Sequence, residues 1–126
     1  MKRLTESTIE DFCIELLEQL GYHYVYAPDI AHDGEKPERS SYSEVLLSSR
    51  LQDAISRINP SVPIISQKEA LNEIRRINSP ELLDNNERFH RMLTEGINVS
   101  YQKDGHDRGD LVWLIDFQNP QNNEFV

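Results

Sequence analysis

Leu111-Val112-Trp113-Leu114-Ile115-Asp116-Phe117 is the stretch whose reading decides the fold. Its opening run is apolar without interruption and rich in β-branched and aromatic residues, so it predicts a strand. Because the run does not alternate with polar residues, it predicts a strand covered on both faces, inside the domain. Upstream, Ile97 to Tyr101 alternates apolar and polar in the manner of a second strand, and Lys103 to Gly109, carrying Gly105 and Gly109, reads as the turn between the two. Downstream, Asn119 to Asn123 reads as another turn and Glu124-Phe125-Val126 as the start of a further strand. A covered strand needs neighbours on both sides, so the expectation is a fragment that stops in mid-sheet.

Helices account for most of the rest. The first is expected from about Glu6 to Leu20, opened by Ser7 with Glu10 three residues on, or by Thr5, and closed by Gly21. Tyr22 to Tyr26 has strand character, and Pro28 to Ser40 is charged and lacks apolar rhythm, as a loop does. Ser41 is expected to open a second helix that stops at Asn59-Pro60. Ser66 with Glu69 predicts a capping box for a third, and Ser79-Pro80-Glu81 predicts the start of a fourth that ends at Gly96. Three strands and four helices make a small α/β domain, and 126 residues suffice for one domain only, spanning 1–126.

Within the first helix, Ile9, Phe12, Cys13, Ile14, Leu16, Leu17 and Leu20 form one apolar arc, with Asp11, Glu15, Glu18 and Gln19 opposite. Glu10 falls inside the arc, between Leu17 and Ile14. An ionised carboxylate on a face meant for packing has two explanations. It can fold back on the first turn as the partner of Ser7 in a capping box, or it can aim into a functional site.

Composition narrows the function classes. No apolar run approaches the roughly 18 residues of a membrane span, which predicts a soluble chain with no membrane association. Lys2 and Arg3 are followed by polar residues rather than an apolar signal segment. Cys13 is the only cysteine, which excludes an internal disulfide and predicts a reducing, cytoplasmic setting. The net charge of −9 argues against a broad phosphate-binding surface, although a carboxylate-built nuclease centre needs local acidity to hold a divalent cation.

Other constellations carry little chemistry. His23, His32, His90 and His106 have no spacing that puts two ligands on one face. Asp104, His106, Asp107 and Asp110 read as solvated turn residues, Arg108-Gly109-Asp110 as a chance adhesion tripeptide, and Arg75-Arg76 as too small a basic patch for DNA. No Gly-x-x-x-x-Gly-Lys phosphate loop occurs, so ATP is not bound by this stretch.

The residues resemble, in order along nearly the whole chain, the N-terminal region of the restriction subunit of type I restriction-modification enzymes. The matching pieces are Thr5 to Glu10 leading to Leu20-Gly21-Tyr22, Glu38 to Tyr42, Leu46-Leu47, Arg50-Leu51, and Ile58-Asn59-Pro60. Asn86, Phe89, Leu93 to Ile97, Leu114 to Pro120, Asn122-Asn123 and Phe125 complete them. The resemblance implies an incomplete restriction-endonuclease-like domain of the PD-(D/E)xK kind, a small mixed sheet flanked by about four helices. It implies Mg²⁺ in the nuclease site, an ATP-driven motor elsewhere in the polypeptide, and double-stranded DNA with the modification and specificity subunits as partners. It also implies that Glu10 is the helix glutamate of that site, catalytic and metal-binding. The Asp and Glu-x-Lys of the motif have no counterpart: Asp110 and Glu124 suggest an acidic pair, but Val126 stands where the lysine belongs. Asp110 and Asp116 are therefore read as strand-edge or turn residues, and the chain alone as inactive. The competing class is a stand-alone acidic interaction module, in which Glu10 is only a helix cap.

Overall fold

The computed structural model describes residues 4–124, which divide into two compact units, one up to Val45 and one from Leu46 onward.

In the first unit, α1 spans Glu6–Gln19 and α2 spans Ala27–Ile30. Thr5 is the N-cap of α1: its backbone is extended and its Oγ1 accepts from the Thr8 N–H at 3.3 Å. The Ser7 and Glu10 capping box does not form, because Ser7 already lies inside the first turn and its Oγ shares a 3.0 Å hydrogen bond with Thr5 Oγ1. Gly21, at φ 96°, ends the helix in the left-handed region, which costs a residue without Cβ little.

Tyr22 to Tyr26 is not a strand. Strand propensity is the capacity to fit a pleated, half-covered surface, and these residues are all exposed, with no described ladder partner. The Pro28 to Ser40 loop is internally bonded instead of featureless. Lys36 N–H donates to Asp29 O, and Glu38 N–H donates to Ile30 O. Gly34 permits that fold-back, since a Cβ there would lie 2.3 Å from Pro28 O.

The second unit contains α3 (Ser48–Ile58), α4 (Ile64–Arg75), α5 (Leu82–Glu95), β1 (Ile97–Lys103), β2 (His106–Val112) and a 3-10 turn at Pro120–Asn122. The α/β class holds, with five helices in the two units together and, among the described residues, one sheet of two antiparallel strands. The α3 helix begins at Ser48 and not at Ser41. Before it, Ser40 N–H and Oγ both donate to the Glu44 carboxylate, which fixes a turn. Ser66 is not the cap of α4, which begins two residues earlier after Pro63; Ser66 is buried and its hydroxyl donates to Asp110 Oδ2 at 2.7 Å. Pro80 falls short of α5, whose N-cap is Glu81, because Asn85 turns back to bond both N–H and C=O of Ser79.

The deciding stretch behaves differently from its sequence reading. β2 ends at Val112, and Trp113 onward leaves the ladder. Val112 and Leu114 are buried, whereas Leu111, Trp113 and Phe117 are exposed, so only one side is covered. Two polar side chains cause the exit. Asn59, 3% exposed at the end of α3, accepts from the Trp113 N–H and donates to both the Trp113 and Ile55 carbonyls. Asp116 Oδ1 then accepts from the N–H groups of Gln118 and Asn119, which folds the backbone into a turn.

The expected Lys103 to Gly109 turn contracts to two residues. Asp104 and Gly105, at φ 54° and 74°, form the primed turn that suits the twist of a hairpin, so Gly109 lies within β2. The core collects Ile55, Leu71, Ile74, Met92, Val99 and Val112 where α3, α4, α5 and one face of the hairpin meet. The predicted strand at Glu124-Phe125-Val126 falls largely outside the described residues; Glu124 itself is exposed and in no regular element.

Candidate functional site

Glu10 lies on the second turn of α1, and its surroundings are open. No residue of α1 is buried, and Ile9, Phe12, Leu16, Leu17 and Leu20 on the apolar arc are 44–75% exposed. Glu10 is exposed, and its carboxylate makes no hydrogen bond or ion pair among the described residues. A divalent cation of the Mg²⁺ kind takes several oxygen ligands, and no group of three His, Cys, Asp or Glu side chains converges for one among the described residues. Glu10 thus belongs to no ready-made cluster of candidate ligands among the described residues. Cys13, on the same helix, is free and exposed.

Asp110 and Asp116 have structural partners. Asp110 belongs to β2 and is held by Ser66, as described above; the Arg108-Gly109-Asp110 tripeptide is consequently built into a strand and is not presented on a loop. Asp116 is a turn residue. Its carboxyl is held below the usual carboxylate range first by the Asn119 N–H, then by the Asn122 side-chain amide and the Gln118 N–H. In the first unit the Tyr42 hydroxyl holds Asp33 low, while His32 packs edge-on against the Tyr42 ring with centroids 4.2 Å apart.

Basic side chains sort in a similar way. Arg76 pairs with Glu69 and Glu73, Arg88 with Glu73, and Arg91 with Glu87. Arg57 donates to the Asn122 carbonyl. Lys103 and Arg108 make no ion pair among the described residues, and the hairpin register places them together. Tyr101 faces Arg108, Lys103 faces His106, and strand alternation sets all four on one face. That grouping is not evident if Lys103 to Gly109 is taken as a long turn. The dipeptide Asp104-Gly105, a strong signal for a two-residue hairpin turn, was the cue that would have fixed it.

Comparison with known proteins assigns the frame in which these residues work. Residues 3–126 match the family described as type I restriction enzyme R protein N terminus. The chain is 30% identical over 124 residues to the type I restriction enzyme HindI endonuclease subunit of Haemophilus influenzae, a match covering 98% of this chain and 12% of that protein. It is also 30% identical over 118 residues to an endonuclease subunit of Methanocaldococcus jannaschii assigned provisionally to the type I restriction enzyme MjaIXP, covering 94% of this chain and 11% of that protein. The chain thus spans about an eighth or less of the length of these relatives. No solved structure matches it. With the match running from residue 3 to residue 126, the chain belongs to the type I restriction enzyme R protein family and corresponds to its N-terminal region.

Proposed function

We propose that this region serves the endonuclease subunit of a cytoplasmic type I restriction enzyme, which cleaves double-stranded DNA in an ATP- and Mg²⁺-dependent reaction together with modification and specificity subunits. The observation that carries the reading is the ordered match over nearly all of the chain to endonuclease subunits from two distant organisms. In this role Glu10 is one carboxylate of the nuclease site and a ligand to its Mg²⁺. An exposed carboxylate on the second turn of a helix capped by Thr5 at one end and closed by Gly21 at the other is suited to that position. When bound, Mg²⁺ activates the attacking water and offsets charge developing on the phosphate. Glu10 itself supplies a negative charge and an oxygen ligand at a fixed point.

The Asp and Glu-x-Lys of such a site are not among these 126 residues. Residues 1–126 alone are therefore inactive in this reading, and Mg²⁺-dependent cutting by the purified 126-residue chain would contradict it. In the full-length subunit, Glu10→Gln is expected to lower DNA cleavage about 100-fold, the scale of losing one preorganised charged group at a reacting centre, with ATP hydrolysis retained. Unchanged cleavage would reduce Glu10 to a surface residue of α1.

A further inference from the structure

We propose that the tip of the β1–β2 hairpin is a contact surface for the phosphate backbone of duplex DNA, formed by Tyr101, Lys103, His106 and Arg108. The proposal rests on the functional reading above for the identity of the polyanion; the surface itself follows from the hairpin geometry. The face that carries Ile97, Val99 and Val112 into the core at the base of the hairpin continues past the core toward the tip. There it changes from buried apolar residues to half-buried Tyr101 and exposed Lys103, His106 and Arg108.

Charge is sorted by face at this tip. Asp107 lies on the opposite face, where its Oδ1 accepts from the Gln102 side-chain amide. Asp110 shares the face with Arg108, but one of its carboxylate oxygens is turned to buried Ser66. Asp104 occupies the turn itself. Arg76, Arg88 and Arg91 are engaged by glutamates, whereas Lys103 and Arg108, like Lys68 and Arg75, have no carboxylate partner among the described residues; what distinguishes these two is the register that sets them on one face of a strand pair. Two cations beside an aromatic ring and an imidazole on one face of a two-stranded ribbon suit a polyphosphate backbone: the cations displace condensed counterions and the strand register sets their spacing.

The test measures binding of the full-length subunit to a 30-base-pair duplex of arbitrary sequence by fluorescence anisotropy across a series of KCl concentrations. Replacing Lys103 and Arg108 together by Gln is expected to reduce the slope of log affinity against log salt by about 2, and to weaken binding roughly tenfold at low salt. Lys103→Arg with Arg108→Lys should keep the slope, and Lys68→Gln, an exposed cation on α4, should leave it unchanged. Matching thermal melts for the variants separate loss of contact from loss of fold. A slope identical to wild type in the double Gln variant overturns the proposal, as does absence of binding by the wild-type subunit. Equal competition by polyglutamate would make the face a general polyanion contact and overturn its assignment to DNA. The nuclease role of Glu10 is read separately, from cleavage by Glu10→Gln: normal cleavage would refute that role, while the salt slope of the hairpin variants alone decides the hairpin contact.

Discussion

Residues 46–124 hide apolar side chains, and residues 4–45 do not. Ile55, Ala70, Ile74 and Val112 are 0–4% exposed, whereas no described residue up to Val45 is buried. The contrast does not arise from sequence pattern, since the apolar arc of α1 is as continuous as that of α4. It arises because the hairpin, α3, α4 and α5 supply each other's packing partners, while α1 is an amphipathic helix whose apolar arc remains exposed. Periodicity identifies a face that packing would stabilise, and it is silent about what packs there. Glu10 illustrates the consequence: it lies among apolar side chains on that arc, and its carboxylate is nonetheless open.

The largest difference between the two regions should appear when equivalent apolar side chains are truncated. Ile55→Ala removes a 1% exposed side chain from the centre of the core, for which a loss of about 2–5 kcal/mol is expected. Phe12→Ala removes a larger but 59% exposed side chain from α1, and should change stability by only about 0.5 kcal/mol. Urea unfolding of the 126-residue chain measures both. A comparable loss for Phe12→Ala would mean that α1 is packed in solution and would erase the contrast.

A smaller effect, confined to the second unit, comes from Asn59. Its side chain is surrounded by the core and satisfies the Trp113 N–H and C=O together with the Ile55 carbonyl, in the way that a neighbouring strand would. Asn59→Ala leaves these groups without partners, and with unsatisfied buried groups costing about 1–3 kcal/mol each before relaxation, a net loss of roughly 3 kcal/mol is expected. Asn59→Asp conserves the volume and the acceptor but loses both donated bonds. It should therefore be no more stable than Asn59→Ala at neutral pH. Near-native stability for Asn59→Asp would show that shape, and not hydrogen bonding, holds Trp113 at that point.

The same residue explains why the deciding stretch was only partly legible. Local signals were reliable where one residue controls the backbone. Gly21 and Gly96 end α1 and α5, and Asn59 closes α3, because helix stops depend on the conformation of the stopping residue itself. Signals failed where a remote side chain intervenes. Leu111 to Phe117 reads as one strand until Asn59, 54 positions upstream, takes the backbone bonds of Trp113. Ser66 reads as a cap until Asp110, 44 positions downstream, draws its hydroxyl into the core. The candidate site divides in the same way. Glu10 could be singled out from its place on α1, but the face that joins Tyr101, Lys103, His106 and Arg108 requires a register that only the two-residue turn at Asp104-Gly105 sets.

The smallest expected effect compares one carboxylate from each unit, both held below their ordinary range by hydrogen bonds to the ionised form. Asp116 is held mainly by the Asn119 N–H, with Asn122 and Gln118 adding to it, and Asp33 mainly by the Tyr42 hydroxyl. A carboxyl whose folded-state pKa is depressed binds its proton more readily once unfolded, so its contribution to stability is complete above the unfolded value of about 3.9 and is lost as pH falls through the folded value. Asp116→Asn removes one acceptor and the charge, so its urea midpoint should lie below that of wild type at pH 7, and the gap should close as pH drops below about 4. Asp33→Asn should lower the midpoint less, because unfolding of the chain is governed by the unit that contains the core and Asp33 belongs to the other. A gap for Asp116→Asn that persists to pH 2 would mean that the turn at Asp116 depends on geometry alone and not on the ionised carboxylate. A gap for Asp33→Asn equal to that of Asp116→Asn would mean that the first unit unfolds together with the second, and the two regions would then form one cooperative structure despite their unequal burial.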